Sequence, residues 1–295
     1  MLGIVFIGCV ESSYILLSNL LKSGAHVSGV ITMRSSTFNA DFKSLEPLAA
    51  QYKIDCLCTQ DINDASTIDF ILNKKPDVIY CFGWSKLISQ RILDIPPMGV
   101  VGFHPAALPS NKGRHPIIWA LALGMKKTAS TFFIMDAGAD SGDIISQAEI
   151  DIQYEDNAAT LYTKVLDAAI MQMLAFTDGF RDGTIMKSQQ NKNEGNTWRK
   201  RNRFDGQIDW RMSTEAIYNL VRALTHPYVG AHFIFNNREI KVWRCEEVKT
   251  SDYVNIEPGK VIKVNTDMDY FVKAYDGVIH VLLSDSVNLS EGEYL

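Results

Sequence analysis

The side chains best suited to chemistry lie between residues 104 and 140. His104 opens a turn-rich run, His104-Pro105-Ala106-Ala107-Leu108-Pro109, followed by Gly113-Arg114-His115-Pro116. A second turn, Asp136-Ala137-Gly138-Ala139-Asp140-Ser141-Gly142, carries Asp140. A histidine titrates near neutral pH, and a carboxylate beside it orients the ring and favours its charged form. Such a pair is a minimal device for moving protons at a reacting carbonyl. The residues between them read as one helix and one strand, so the two turns can return to the same end of a sheet.

The surrounding pattern supplies that sheet. Ile4 to Ile7, Val27 to Thr32, Asp77 to Phe82 and Gly99 to Phe103 are short apolar runs, of the kind buried on both faces of parallel sheets. Helical spacing separates them at Tyr14 to Lys22, Phe42 to Tyr52 and Ala65 to Leu72, the last capped by Asp64 or a near neighbour. Further helices are predicted over Pro116 to Leu123, Met212 to Leu224 and Asn157 to Phe180, the last capped by Asp156 or Asn157. Thr131 to Met135 and Asp143 to Ile150 read as strands flanking the Asp140 turn. This alternation predicts an open α/β sheet. Asn191 to Asp209 is polar and basic, a linker by composition. Beyond it five strands are predicted: Ala231 to Phe235, Glu239 to Val248, Gly259 to Val264, Tyr270 to Ala274 and Val278 to Leu283. They suggest a small, barrel-like all-β domain. Two domains are therefore expected, 1–204 and 205–295.

Composition narrows the class. With 46% hydrophobic and 21% charged residues, the 295-residue chain reads as an ordinary globular protein. A net charge of −5 gives no bulk attraction for nucleic acid. Five cysteines without a CxxC pair read as reduced thiols, and the location expected is cytoplasmic. The apolar start reads as a first strand, not a signal peptide, and no run is long enough for a membrane span. No spacing of His, Cys or carboxylates suggests a metal. The absence of GxGxxG argues against a nicotinamide cofactor. Gly8, Ser12 and Ser13 follow the first strand, where open α/β sheets bind ligands, and are candidates for a substrate phosphate. The run Arg199-Lys200-Arg201-Asn202-Arg203 is either a second anion site or a solvated linker. Asp136 reads equally as a turn-former or a ligand contact. Trp84 reads equally as a ligand wall or a strand cap. His26, His115, His226, His232 and His280 read as structural.

Two motifs at fixed spacing, His104-Pro105-x-x-Leu108-Pro109-x-x-x-Gly113-Arg114-x-Pro116 and Asp136-x-Gly138-x-Asp140-x-Gly142, resemble those of the 10-formyltetrahydrofolate-dependent formyltransferases. Lys86-Leu87-Ile88 is similar to the family's folate-side loop. Val221 to Ala231 is similar to the helix-to-barrel junction of its nucleotide-sugar branch. The resemblance implies a Rossmann-like catalytic domain followed by a small β-barrel-like, OB-like domain. It implies His104 and Asp140 as catalytic residues and 10-formyltetrahydrofolate as formyl donor. It places Lys86, Leu87, Ile88, Arg114, Asp136, Ala137, Gly138, Ala139 and Asp140 against the folate. The acceptor it implies is the amine of a nucleotide-linked amino-dideoxy sugar, in a branch serving surface-glycan synthesis such as a pseudaminic-acid-type pathway. Methionyl-tRNA formyltransferase and a catalytically silent folate or nucleotide-sugar binder are the alternatives. Exposed barrel strands leave a homodimer open.

One position departs from the family. Two residues before His104 the family has an asparagine that donates to the reacting oxygen; here it is Gly102. Removing one such donor costs about 10²–10³ in rate. Asn111 on the same loop is the candidate replacement. Water or the Gly102 N–H at the gap, and loss of activity, are the other outcomes.

Overall fold

The structure, a computed structural model, describes residues 1–35, 41–191 and 193–295. Its first half alternates strand and helix: β1 (Ile4–Ile7), α1 (Glu11–Lys22), β2 (Val27–Thr32), α2 (Glu46–Gln51), β3 (Cys56–Cys58), α3 (Ala65–Lys74), β4 (Val78–Cys81), α4 (Gln90–Leu93) and β5 (Val100–His104). There follow β6 (Lys112–Gly113), α5 (Pro116–Ala122), β7 (Lys127–Ile134), β8 (Ile144–Asp151), α6 (Ala158–Asp182), β9 (Thr197–Trp198) and α7 (Thr214–Leu224). The chain ends in β10 (Ala231–Phe235), β11 (Arg238–Val248), β12 (Val261–Thr266), β13 (Asp269–Lys273) and β14 (Val278–Leu283). Among the described residues no helix is long and apolar enough to cross a membrane.

Contacts divide the chain into two compact units. The first comprises Met1–Pro116, Thr128–Ile150 and Thr163–Trp198. Its seven-stranded sheet runs β3-β2-β1-β4-β5-β7-β8. The pairs from β3 to β5 are parallel, and β5 and β7 are antiparallel. The apolar run of β4 explains its central place: all four residues are buried. Each large apolar side chain removed from water in this way contributes roughly 1.5–3 kcal/mol. One face packs Phe6, Tyr80, Phe82 and Phe132 against Ala169, Met173, Phe176 and Phe180 of α6. The Tyr80 hydroxyl is 2.8 Å from Thr177 Oγ1, which itself donates to the Met173 carbonyl. Tyr80 is therefore the donor in that buried bond.

The second unit comprises Ile117–Lys127, Asp151–Tyr162 and Arg199–Leu295. Its sheet has five antiparallel strands in the order β10-β11-β14-β13-β12. Helix α7 is capped by Ser213 and buries Ile217, Leu220, Val221 and Leu224.

Several boundaries differ from the sequence expectation, each for a local reason. Helix α1 begins at Glu11 rather than Tyr14, and the Glu11 N–H is met by the Asp41 carbonyl. Helix α2 is only Glu46–Gln51 because Pro47 stands in its first turn and resists helix upstream. Asp64 caps α3 through the Thr67 N–H, as its sequence predicts. His104 is the last residue of β5, paired with Thr131, rather than part of the loop. The stretch read as a linker, in which Lys192 lies outside the described residues, contains β9, which pairs in parallel with β6.

Candidate active site

Strand β5 delivers His104 to the sheet end with its residue only 5% exposed. His104 Nε2 lies 2.8 Å from the Asn111 carbonyl. A carbonyl only accepts, so Nε2 carries the hydrogen and Nδ1 is the nitrogen left for proton traffic. Nδ1 is 3.7 Å from Asp140 Oδ2. The same Oδ2 accepts from the Gly113 N–H at 3.0 Å. Asp140 and Asn111 both adopt left-handed backbone, with φ of 53° and 63°. Gly113, at φ 98°, lies so close to the Trp198 carbonyl that any Cβ would collide with it. The sequence thus brings its two catalytic candidates together.

The loop after His104 is held by residues from distant elements. Thr131 Oγ1 donates to the Ala106 carbonyl at 2.6 Å, and Gln147 Nε2 donates to the Leu108 carbonyl and to Thr131 Oγ1, both at 2.9 Å. The Asn111 N–H donates to Asn196 Oδ1 at 2.8 Å, and the Lys112 and Arg114 N–H groups donate to the Asn196 and Trp198 carbonyls. Arg114 Nη2 donates to the Ser85 carbonyl at 3.1 Å, which ties the loop to the segment carrying Lys86, Leu87 and Ile88. In that segment Lys86 Nζ donates to the Gln60 carbonyl, Leu87 is 74% exposed, and the Ile88 side chain is buried in the core. Only the backbone of Ile88 can therefore meet a ligand.

The Asp140 turn is more exposed. Asp136 Oδ1 accepts from the Gly138 N–H at 3.0 Å and from Ser141 Oγ at 2.6 Å, so it builds the turn. Ala137, Gly138 and Ala139 present their backbone at the surface. Gln190 Nε2 closes the turn by donating to the Asp140 and Gly142 carbonyls. Gln147, Gln190 and Asn196 carry no periodic or motif signal, and the sequence reading missed them.

One expectation, at Ser13, is corrected. Ser13 is fully buried, donates to the Phe82 carbonyl at 2.6 Å and accepts from the Val10 N–H, so it pins the fold and is no phosphate contact. Gly8 serves the same packing: a Cβ there would lie 2.5 Å from both the Phe82 carbonyl and Ser13. Ser12, also buried, lies in α1. Gly102 lies against the side chains of two β7-side residues. A Cβ at that position would meet Phe133 at 2.8 Å and Met135 at 2.9 Å, so those side chains occupy the space. The basic run is mostly exposed, and its arginines have partners within the second unit. Arg199 grips Asp205, Arg201 lies over Trp119, and Arg203 pairs with Glu239. The Arg199 guanidinium holds the Asp205 carboxyl down at about 2. Asn111, the candidate replacement donor, also meets His104 through its backbone carbonyl.

Trp84 packs beside Cys9, Val10 and Met33, and its buried Nε1 has no partner among the described residues. His226 stacks on Trp243, and His280 stacks on Phe271 and bonds Asp269, which are structural roles.

Comparison with known proteins places the chain in a family. Residues 18–176 match the formyl transferase family and residues 202–286 match the formyl transferase C-terminal domain. The chain belongs to the formyl transferase family. It is 32% identical over 257 residues to the bifunctional polymyxin resistance protein ArnA of Wigglesworthia glossinidia brevipalpis, covering 86% of this chain. The match spans only 39% of that relative's length. The fold is similar to that of WlaRD, a sugar 3N-formyl transferase crystallised in the presence of dTDP and 5-N-formyl-THF. That likeness has a TM-score of 0.72 at 18% identity and covers 97% of this chain and 99% of that one. A Helicobacter canadensis N-formyltransferase, in complex with folinic acid and dTDP-3-aminofucose, also has a TM-score of 0.72, at 17% identity over 96% and 99% of the two chains.

Proposed function

We propose that this chain transfers a formyl group from 10-formyltetrahydrofolate to the amine of a nucleotide-linked amino sugar. The observation that carries the reading is the linked set Ser85–Arg114–Gly113–Asp140–His104 in a member of the formyl transferase family. The sugar acceptor is favoured over tRNA by the net charge of −5 and by the full-length likeness to enzymes crystallised with dTDP or a dTDP-sugar.

The residues present fit a folate. The exposed residues 137–139, with Lys86 and Leu87, offer backbone groups to a planar ring. Leu87 offers apolar surface that a ring would cover. Lys86 and Arg114 offer cations to an anionic tail. When bound, the folate supplies the formyl carbon and a nitrogen leaving group.

The protein's own part is proton handling. An amine attacks only when unprotonated, and the departing nitrogen needs a proton. His104 Nδ1 is the atom that takes and returns it, because Nε2–H is committed to Asn111. That commitment also keeps the ring from flipping. Asp140 Oδ2 stands 3.7 Å from Nδ1, and the Gly113 N–H holds that carboxylate toward the imidazole. Burial of His104 keeps water from competing for the proton.

The test is formyl transfer to a panel of UDP-, dTDP- and CMP-linked amino sugars, with charged initiator methionyl-tRNA alongside. Turnover on one sugar is the expected result, and turnover on tRNA alone would overturn the reading. The Asn111 carboxamide is our candidate for the donor missing at Gly102. Asn111→Gly keeps the left-handed backbone and deletes the amide, so kcat should fall by about 10²–10³. An unchanged kcat would remove Asn111 from that role. The five thiols, none in a disulfide, fit synthesis of a surface glycan's sugar precursor in the reducing cytoplasm.

A further inference from the structure

One short segment reaches both halves of the site. Gln190 is 5% exposed, and its Nε2 donates to the Asp140 carbonyl at 3.1 Å and the Gly142 carbonyl at 2.6 Å. Both partners are carbonyls, so only the NH₂ end of the amide can face them. Its Oε1 is buried with no hydrogen-bond partner among the described residues, so the side chain is held by its donor end alone. Six residues on, Asn196 uses its amide in the opposite sense. Its Oδ1 accepts from the Asn111 N–H at 2.8 Å, and its carbonyl accepts from the Lys112 N–H at 3.0 Å. Asn111 is the residue whose carbonyl fixes His104 Nε2–H. Gly195, at φ 86°, lets this segment run against the Pro109 carbonyl, where any Cβ would collide.

We propose that Gln190 and Asn196 are positioning residues for formyl transfer: Gln190 sets the Asp140 carboxylate, and Asn196 sets the carbonyl that selects the His104 tautomer. The inference rests on the proton-transfer role assigned to that pair above. Neither residue touches the reacting atoms. They act by fixing the 3.7 Å approach of His104 Nδ1 to Asp140 Oδ2.

The two amides have opposite requirements, and one kind of substitution separates them. Position 190 needs a donor. Gln190→Glu presents a carboxylate to two carbonyl oxygens, and Gln190→Met removes the donor without adding charge. Position 196 needs an acceptor, so Asn196→Asp keeps the bond and Asn196→Ala loses it. A misplacement of about 1 Å at a reacting group costs about 100-fold in rate. Both Gln190 variants should lose kcat on that scale with KM for each substrate little changed. Asn196→Ala should lose less, because Asn196 is exposed and backbone bonds remain. Asn196→Asp should match the wild type. Wild-type kcat in Gln190→Met, or an Asn196→Asp variant as impaired as Asn196→Ala, overturns the proposal.

A second readout does not depend on turnover. Imidazole ¹⁵N shifts of the neutral protein, with His104→Ala supplying the assignment, should show His104 protonated at Nε2 in the wild type and in Asn196→Asp. Asn196→Ala should mix the two tautomers. A wild-type ring protonated at Nδ1 overturns the positioning inference whatever the activity. Absence of turnover with the expected tautomers would instead overturn the function proposed above.

Discussion

The two halves of the site are built in different ways. The loop after His104 is pinned from outside itself: Thr131, Gln147, Asn196 and Trp198 all bond its backbone, and His104 is buried. The Asp140 turn is largely self-made and exposed, with Asp136 bonding Gly138 and Ser141. Its long-range ties are the Gly113 N–H and the Gln190 amide. A residue that cycles through protonation states gains from a rigid, dry seat, since each misplacement is multiplied in the rate. A carboxylate that only orients a neighbouring ring needs placement more than burial, and full burial opposes charge.

That contrast can be broken in order of effect. His104→Ala removes the proton carrier and should lower kcat by about 10²–10⁴ with an unchanged fold. Asp140→Asn keeps an acceptor for the Gly113 N–H but deletes the charge, so its loss of kcat should be the smaller of the two. Equal losses in steady-state kinetics would mean that the turn is as demanding as the loop. Gly102→Asn tests the loop's packing rather than its chemistry. The new side chain meets Phe133 and Met135, so it should lower the urea midpoint, an overpacking cost of about 1–3 kcal/mol, without raising kcat. A faster enzyme of wild-type stability would show that Phe133 yields. The smallest effect lies outside both halves, at Asp205. Its folded carboxyl titrates below the ordinary value of 3.8, so the pairing with Arg199 adds stability at neutral pH that fades as pH falls from there toward about 2. Arg199→Gln should therefore lower Tm at pH 7 and leave little difference near pH 2.

Much of this architecture is written locally. The bounds of β1, β2, β10 and β14 follow from apolar runs and turns alone. The candidate pair His104 and Asp140 is legible because its turn residues and spacing are unusual together. What is not legible depends on partners far away in sequence. The start of α1 is served by the Asp41 carbonyl. The polar stretch around 190–198 has the composition of a linker, and its described residues bond to residues near 111 and 140. Gly102 announces a missing amide, but only the antiparallel pairing with β7 reveals that Phe133 packs against it.

The placement of Gln190 and Asn196 separates two boundaries that are usually drawn together. A fragment ending with α6 at Asp182 would keep His104, Asp140 and every strand of the seven-stranded sheet. It would lack the only segment described here that bonds both the Asn111 loop and the Asp140 turn. The stretch that completes the sheet therefore ends before the stretch that holds the candidate groups in place. A transplanted or trimmed catalytic module should be cut after Trp198, not at the end of its last long helix.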